Sequence, residues 1–87
     1  MRLDKYLKNA RIIKRRPLAK QVADQGRIKI NGNPAKASTT VSAGDEVEIQ
    51  FGQKILTVKV VSIRDIVRKD EAETLYTVVS EKRIEQE

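Results

Sequence analysis

The chain has 87 residues, contains neither cysteine nor histidine, and carries a formal net charge of +6 at pH 7. That length predicts one small domain. The missing residue types exclude disulfides, Cys/His metal sites, and catalysis by a thiol nucleophile or a histidine base. No apolar run approaches the roughly 18 residues of a membrane span, and the amino terminus lacks the apolar core of an export signal. We expect a cytoplasmic protein with no metal, cofactor or membrane partner.

Positive charge is concentrated in the first part of the chain. Residues 2–36 hold eleven basic and two acidic residues, which gives +9, whereas residues 37–87 hold seven basic and ten acidic residues, which gives −3. A basic block segregated in this way on an ordered scaffold is typical of a protein that binds a polyanion such as RNA.

The first helix is predicted over residues 3–10, because Leu3 and Leu7 recur at helical spacing. Asp4 falls in its first turn, where the helix dipole favours an anion. We interpret Asp4 as such a stabilising charge, in preference to a role in orienting a neighbouring arginine. Tyr6 is equally compatible with packing and with contact to a base, whereas Tyr76 fits packing better. The residues assigned to the core are Leu3, Leu7, Ile13, Leu18, Val22, Ile28 and Ile30.

A basic corner over residues 11–16 joins this helix to a second one. Pro17 suits the first turn of that helix, and Gly26 is placed to end it. Backbone N–H groups at the start of a helix attract phosphate, and arginines beside them add paired donors for the same oxygens. Arg16 is therefore the first candidate for RNA contact and Arg15 the second.

Strand patterns begin after the second helix. Residues 27–30 alternate in polarity, and Asn31-Gly32 is a strong signal for a hairpin turn. The return leg contains Pro34, which confines it to a sheet edge. Two later strands are predicted from alternating runs, one with Val47, Ile49 and Phe51, and one with Leu56, Val58 and Val60 that Val61 and Ile63 extend.

The last part of the chain gives weaker signals. Residues 64–73 are charged and poorly periodic, which predicts a loop or a frayed helix. Residues 75–79 suit a last strand, and residues 81–87 are predicted to be a disordered acidic tail.

Four sequence blocks, in this order and at close spacing, resemble the RNA-binding domain named for ribosomal small-subunit protein four. They are Arg2-Leu3-Asp4-Lys5-Tyr6-Leu7, then Arg16-Pro17-Leu18-Ala19 with Val22, then Gly26-Arg27-Ile28-Lys29-Ile30-Asn31-Gly32, and finally Ala43-Gly44-Asp45-Glu46-Val47. This resemblance covers residues 1–50. The short form with its strand-rich extension is similar, over nearly the whole length, to the RqcP family of bacterial ribosome-associated quality control.

The resemblance implies an α+β fold, in which two amino-terminal helices pack on a small, mainly antiparallel sheet with a strand-rich carboxy-terminal extension. We assign residues 1–63 to the RNA-binding domain, with its motif core at 1–50, and residues 64–80 to the extension. The face formed by the helices would lie against RNA. Arg27 fits an ordinary strand-surface charge nearly as well as an RNA contact. The candidate RNA-binding residues are Arg2, Lys5, Lys8, Arg11, Lys14, Arg15, Arg16, Lys20 and Arg27.

The resemblance also implies a function. Proteins of the RqcP type bind large ribosomal subunits that still carry peptidyl-tRNA after a stall, contact rRNA and the tRNA, and support alanine tailing of the nascent chain by a partner protein. We expect a monomeric adaptor of this kind without enzymatic activity. Two alternatives remain open. One is a heat-shock-type recycling factor for stalled large subunits, whose typical tail is longer and basic, and the other is a regulatory module related to that of pseudouridine synthases.

Overall fold

The computed structural model describes residues 1–83 and contains two α-helices, a 3-10 helix and a five-stranded sheet. Helix α1 spans Leu3–Asn9 and helix α2 spans Arg16–Asp24. Both predicted helices are therefore confirmed, and Pro17 occupies the first turn of α2, as its missing N–H allows. Within the described residues, no helix is both long enough and apolar enough to cross a bilayer.

One antiparallel sheet contains all the strands. Their bounds are Ile28–Ile30 for β1, Asn33–Pro34 for β2, Glu46–Phe51 for β3, Lys54–Val60 for β4 and Tyr76–Arg83 for β5. The order across the sheet is β2-β1-β3-β4-β5, and every pair of neighbours is antiparallel. The predicted α+β class is confirmed. Asn31 and Gly32 have φ values of 52° and 84°, which the predicted two-residue hairpin turn requires.

The core lies between one face of the sheet and the two helices. Its largest fully buried side chains include Tyr6, Leu3, Leu7, Ile28, Ile49 and Leu75. The assignment of Leu18 to the core was wrong, because this side chain is 47% exposed. Helix α2 instead turns Ala19 and Ala23 inward, which lie one turn apart on the same face. Two alanines on this face allow the backbone of α2 to approach the core closely.

The chain leaves the sheet earlier than the alternating pattern predicts. Strand β4 ends at Val60, so the predicted extension through Val61 and Ile63 was wrong. The N–H groups of Val61 and Ser62 donate to the carbonyl oxygen of Leu75 at 2.8 and 3.2 Å, which redirects the backbone. The charged segment that follows contains a 3-10 helix over Lys69–Leu75.

Strand β5 is longer than the apolar residues alone indicate, since it runs through Arg83. The prediction of disorder was therefore wrong for residues 81–83. Glu81, Lys82 and Arg83 pair with Leu56, Ile55 and Lys54 of β4. An ion pair between Glu81 and Lys54 adds to this pairing. The remainder of the predicted tail, residues 84–87, lies outside the described residues.

Candidate nucleic-acid interface

One buried carboxylate joins the starts of the two helices. Asp4 of α1 is only 4% exposed. Its Oδ1 and Oδ2 accept hydrogen bonds from Nε and Nη2 of Arg2 at 3.2 and 3.3 Å. Nε of Arg16, the first residue of α2, lies 3.1 Å from Oδ2. We call these three residues, Arg2, Asp4 and Arg16, the arginine clamp.

Backbone hydrogen bonds hold the start of the chain in this position. Arg2 forms an isolated antiparallel bridge with Thr40. The N–H of Asp4 donates to the carbonyl oxygen of Ala37 at 3.2 Å, and the N–H of Lys5 donates to Oδ1 of Asp4 at 2.8 Å. Because these amides already have partners, this end of α1 presents side chains to a ligand.

The electrostatics of the clamp keep Asp4 ionised. Burial by itself would raise the pKa of Asp4. The guanidinium groups of Arg16 and Arg2, together with the N–H of Lys5, outweigh burial and hold the pKa of that carboxyl below its ordinary value. The interpretation of Asp4 as only a helix-dipole charge was wrong, since its carboxylate fixes two arginines in place.

The clamp leaves most of its hydrogen-bond donors unused. A guanidinium carries five N–H groups. Arg2 engages Asp4 through two nitrogens and Arg16 through one. The two arginine side chains are 51% and 45% exposed, so the remaining donors are accessible to solvent. Two fixed guanidinium groups side by side suit an oxyanion with several acceptor oxygens, such as a phosphate.

Helix α2 brings two more predicted residues near the clamp. Arg15 precedes the helix in an extended conformation, and no side chain caps this end of the helix. Lys20 follows Arg16 by four residues within α2, which places both on one face of the helix. Arg15, Arg16 and Lys20 are all exposed. The structure thus groups these three cations around the start of α2.

A second basic cluster lies at the other end of α1. Lys8, Asn9, Arg11, Lys14 and Val67 line a groove of about 520 Å³, which we call the basic groove. Three of the predicted RNA-binding residues therefore converge in one concavity. Helix α1 has seven residues, so the clamp and the basic groove are separated by about 10 Å of helix.

Arg11 adopts a conformation that is unusual for a residue with a side chain. Its φ is +57°, in the left-handed region, which costs a non-glycine residue about 1–2 kcal/mol. The N–H of Arg11 donates to the carbonyl oxygen of Lys8 at 3.0 Å, and the N–H of Ile12 donates to that of Leu7 at 3.1 Å. These bonds end α1 in a turn whose left-handed position glycine usually occupies.

Lys5 is directed away from the clamp. Its Nζ lies 3.1 Å from Oδ1 of Asp65, in the segment between β4 and the 3-10 helix. Arg2, in contrast, precedes the helix and contacts Asp4, so these two candidate RNA-binding residues have different partners. Arg27 immediately precedes β1, and its carbonyl oxygen accepts the N–H of Gln50. It belongs to neither the clamp nor the basic groove.

Sequence reasoning missed one residue that shapes this interface. Nδ2 of Asn9 donates to the carbonyl oxygens of Arg64 and Asp65 at 3.1 and 3.3 Å. These bonds hold the segment that brings Val67 to the basic groove. The only sequence signal was the position of Asn9, one turn after Lys5 on α1, and the sequence gives no indication of its distant partners.

Comparison with known proteins shows which family the chain belongs to. Residues 1–47 match the family model described as S4 domain. Over 84 residues, which are 97% of this chain and 98% of the relative, the chain is 57% identical to a Bacillus subtilis (strain 168) protein named RQC P-site tRNA stabilizing factor. The chain belongs to the RqcP branch of the S4-domain family. A Streptococcus pneumoniae (strain ATCC BAA-255 / R6) protein of the same name is 56% identical, over 99% of this RqcP-type chain and 98% of its relative.

A solved structure confirms the fold of the RqcP-type S4 domain. The trimeric structure of Vibrio cholerae heat shock protein 15 matches with a TM-score of 0.84 and 34% identity, over 92% of this chain and 82% of that chain. The resemblance inferred from the four sequence blocks is therefore confirmed at the level of family and fold.

Proposed function

We propose that this protein is an RNA-binding adaptor of ribosome-associated quality control. In this role it binds rRNA and tRNA on stalled large ribosomal subunits that carry peptidyl-tRNA. The arginine clamp is the observation that carries the proposal, because it presents two oriented guanidinium groups on the most basic part of the chain. The 57% identical relative, named for stabilising P-site tRNA, supports the same role.

The chemistry of the two basic clusters favours recognition of phosphates and backbone shape. An A-form RNA duplex hides its deep groove from side chains and exposes phosphates and 2′-hydroxyl groups. Lysine and arginine side chains that neutralise phosphates release counterions, so the affinity depends steeply on salt. If about six phosphates are neutralised, the affinity falls by roughly 10³-fold between 50 and 200 mM salt.

An adaptor that steadies a tRNA against rRNA must contact two RNA surfaces at once. The clamp and the basic groove lie at opposite ends of α1, which suits such a double contact. When one contact has formed, the other becomes intramolecular and benefits from a high effective concentration. We propose that the protein acts in the cytoplasm as a monomer without catalytic activity, and that it supports alanine tailing by a partner protein on the stalled subunit.

A recycling factor of the heat-shock type is the second candidate, favoured by the TM-score of 0.84 to heat shock protein 15. The RqcP-type role is the better supported of the two. Identity falls from 57% with the Bacillus subtilis relative to 34% with the heat shock protein. Coverage of the relative falls from 98% to 82%.

Co-sedimentation with large ribosomal subunits that carry peptidyl-tRNA tests the proposed function. We expect Arg16→Glu to abolish co-sedimentation at moderate salt, because it breaks the clamp and reverses one charge. Arg68→Glu is the matched control, since Arg68 is exposed before the 3-10 helix and outside both basic clusters. The proposed site would be contradicted if Arg16→Glu co-sedimented like wild type, or if Arg68→Glu lost as much co-sedimentation as Arg16→Glu.

A deletion strain separates the two candidate functions. The RqcP-type role predicts that alanine tails on stalled nascent chains disappear and return when the wild-type gene is supplied. Accumulation of stalled subunits with intact tailing would instead support the recycling factor.

A further inference from the structure

The three cations of the basic groove are available to a ligand without the loss of an existing ion pair. Within residues 1–83, Arg2 and Arg16 pair with Asp4, and Lys5 pairs with Asp65. Lys8, Arg11 and Lys14 take part in none of the ion pairs of that part of the chain, and no acidic residue lines the groove. The groove therefore holds three uncompensated positive charges in one concavity.

The shape of the basic groove is fixed before any ligand arrives. Asn9 holds one side of it by donating to the carbonyl oxygens of Arg64 and Asp65. The turn that ends α1 holds the other side, through the bonds from the N–H groups of Arg11 and Ile12. A fixed site loses less conformational entropy when a ligand binds than a mobile one.

Arginine is unfavourable for the backbone conformation at position 11, but its positive charge suits the basic groove. Its left-handed φ favours glycine, and glycine at this position would end α1 at no cost in strain. An ordinary explanation of Arg11 is that a cation at the carboxyl end of a helix stabilises the dipole. Lys8 already supplies such a charge in the last turn of α1, so the dipole alone does not account for a strained arginine.

We propose that the basic groove is a phosphate-binding site for the RNA backbone, separate from the arginine clamp, and that Arg11 accepts its strained conformation in order to direct its guanidinium at that phosphate. The inference rests on the proposed RNA-binding function and specifies which chemical group the basic groove binds and which residue directs the contact. The ligand is a phosphodiester group, recognised by charge and not by base sequence.

Two measurements test this inference. Fluorescence anisotropy at several salt concentrations gives the affinity for fluorescein-labelled tRNA, and thermal unfolding gives the stability of each variant. We expect Arg11→Gly and Arg11→Ala to weaken binding by roughly 5- to 30-fold. The slope of the logarithm of the affinity against the logarithm of the salt concentration, which we call the salt slope, should become shallower by about one. The unfolding midpoint of Arg11→Gly should equal or exceed that of wild type and exceed that of Arg11→Ala. Lys14→Ala, in the corner outside both helices, should weaken binding similarly.

Two further variants make the test specific. Lys59→Ala removes an exposed cation from β4, on the face of the sheet opposite to the buried Val58 and Val60, and should bind tRNA like wild type. Arg16→Glu should lose binding in the same assay. If Arg11→Gly keeps the wild-type affinity and salt slope while Arg16→Glu loses tRNA binding, the proposed phosphate site in the basic groove is contradicted and the proposed function is not. Wild-type affinity in both variants would contradict the proposed RNA-binding roles of the basic groove and of the arginine clamp.

Discussion

The hydroxyl of Tyr6 donates a hydrogen bond of 2.8 Å to the carbonyl oxygen of Leu75. Tyr6 is fully buried in α1, and Leu75 ends the 3-10 helix that precedes β5. Burial, with the nearby Tyr76, raises the pKa of Tyr6 above its ordinary value. Tyr6 therefore packs in the core, and α1 is fastened to the carboxy-terminal extension.

Tyr6→Phe should lower the free energy of unfolding by roughly 0.5–1.5 kcal/mol, the net contribution of one hydrogen bond. The loss stays within this range because the carbonyl oxygen of Leu75 keeps the N–H groups of Val61 and Ser62 as donors. Denaturant unfolding measures the change. Tyr76→Phe is the control, since Tyr76 is only partly buried against the core. A loss above about 3 kcal/mol in Tyr6→Phe would show that the tyrosine does more than form this bond.

Asp65→Asn should strengthen RNA binding severalfold. The ion pair with Asp65 compensates the charge of Lys5, and its removal frees that cation beside the basic groove. An exposed pair of this kind contributes about 0–1 kcal/mol to folding, so the stability should change little. Fluorescence anisotropy with labelled tRNA measures the affinity. Asp70→Asn makes the same charge change on an exposed residue of the 3-10 helix, and an equal gain there would contradict a local effect at Lys5.

Acid should weaken the fold through Asp4. Its folded pKa lies below the ordinary value of 3.8, so the unfolded chain takes up the proton first as the pH falls. The stabilisation from the clamp is fully present above about pH 4 and is lost as the pH drops through the lowered folded pKa. Asp4→Asn removes this dependence. The difference in unfolding midpoint between wild type and Asp4→Asn should therefore narrow below pH 4, and a constant difference would contradict the ionised clamp.

Much of the fold could be predicted because its signals are local. The spacing of Leu3 and Leu7 gives α1, the alternating residues give β1, β3 and β4, and Asn31-Gly32 gives the turn. Leu18 was assigned wrongly because the face that α2 buries depends on how that helix approaches the sheet. Strand β5 was predicted too short, since its polar end is stabilised by pairing with β4 and not by its own composition.

The basic residues of the candidate site could be named from the sequence, but their grouping could not. Charge and family blocks pointed to Arg2 and Arg16, yet only the fold shows that one carboxylate holds both. The pair of Lys5 with Asp65 joins residues 60 positions apart, which no local pattern reveals. The left-handed backbone of Arg11 could not be predicted for a different reason, because arginine does not ordinarily mark such a turn.

The tRNA affinity of Asp4→Asn, compared with that of Asp24→Asn, tests the arginine clamp most directly. Both substitutions remove one negative charge, and Asp24 is exposed at the end of α2. If oriented arginines make the contact, Asp4→Asn should bind roughly 5- to 30-fold more weakly than wild type despite its higher net charge, while Asp24→Asn binds as tightly or more tightly. Circular dichroism at the assay temperature verifies that both variants are folded. Equal or tighter binding by folded Asp4→Asn would contradict the account, because the total positive charge would then matter and its arrangement would not.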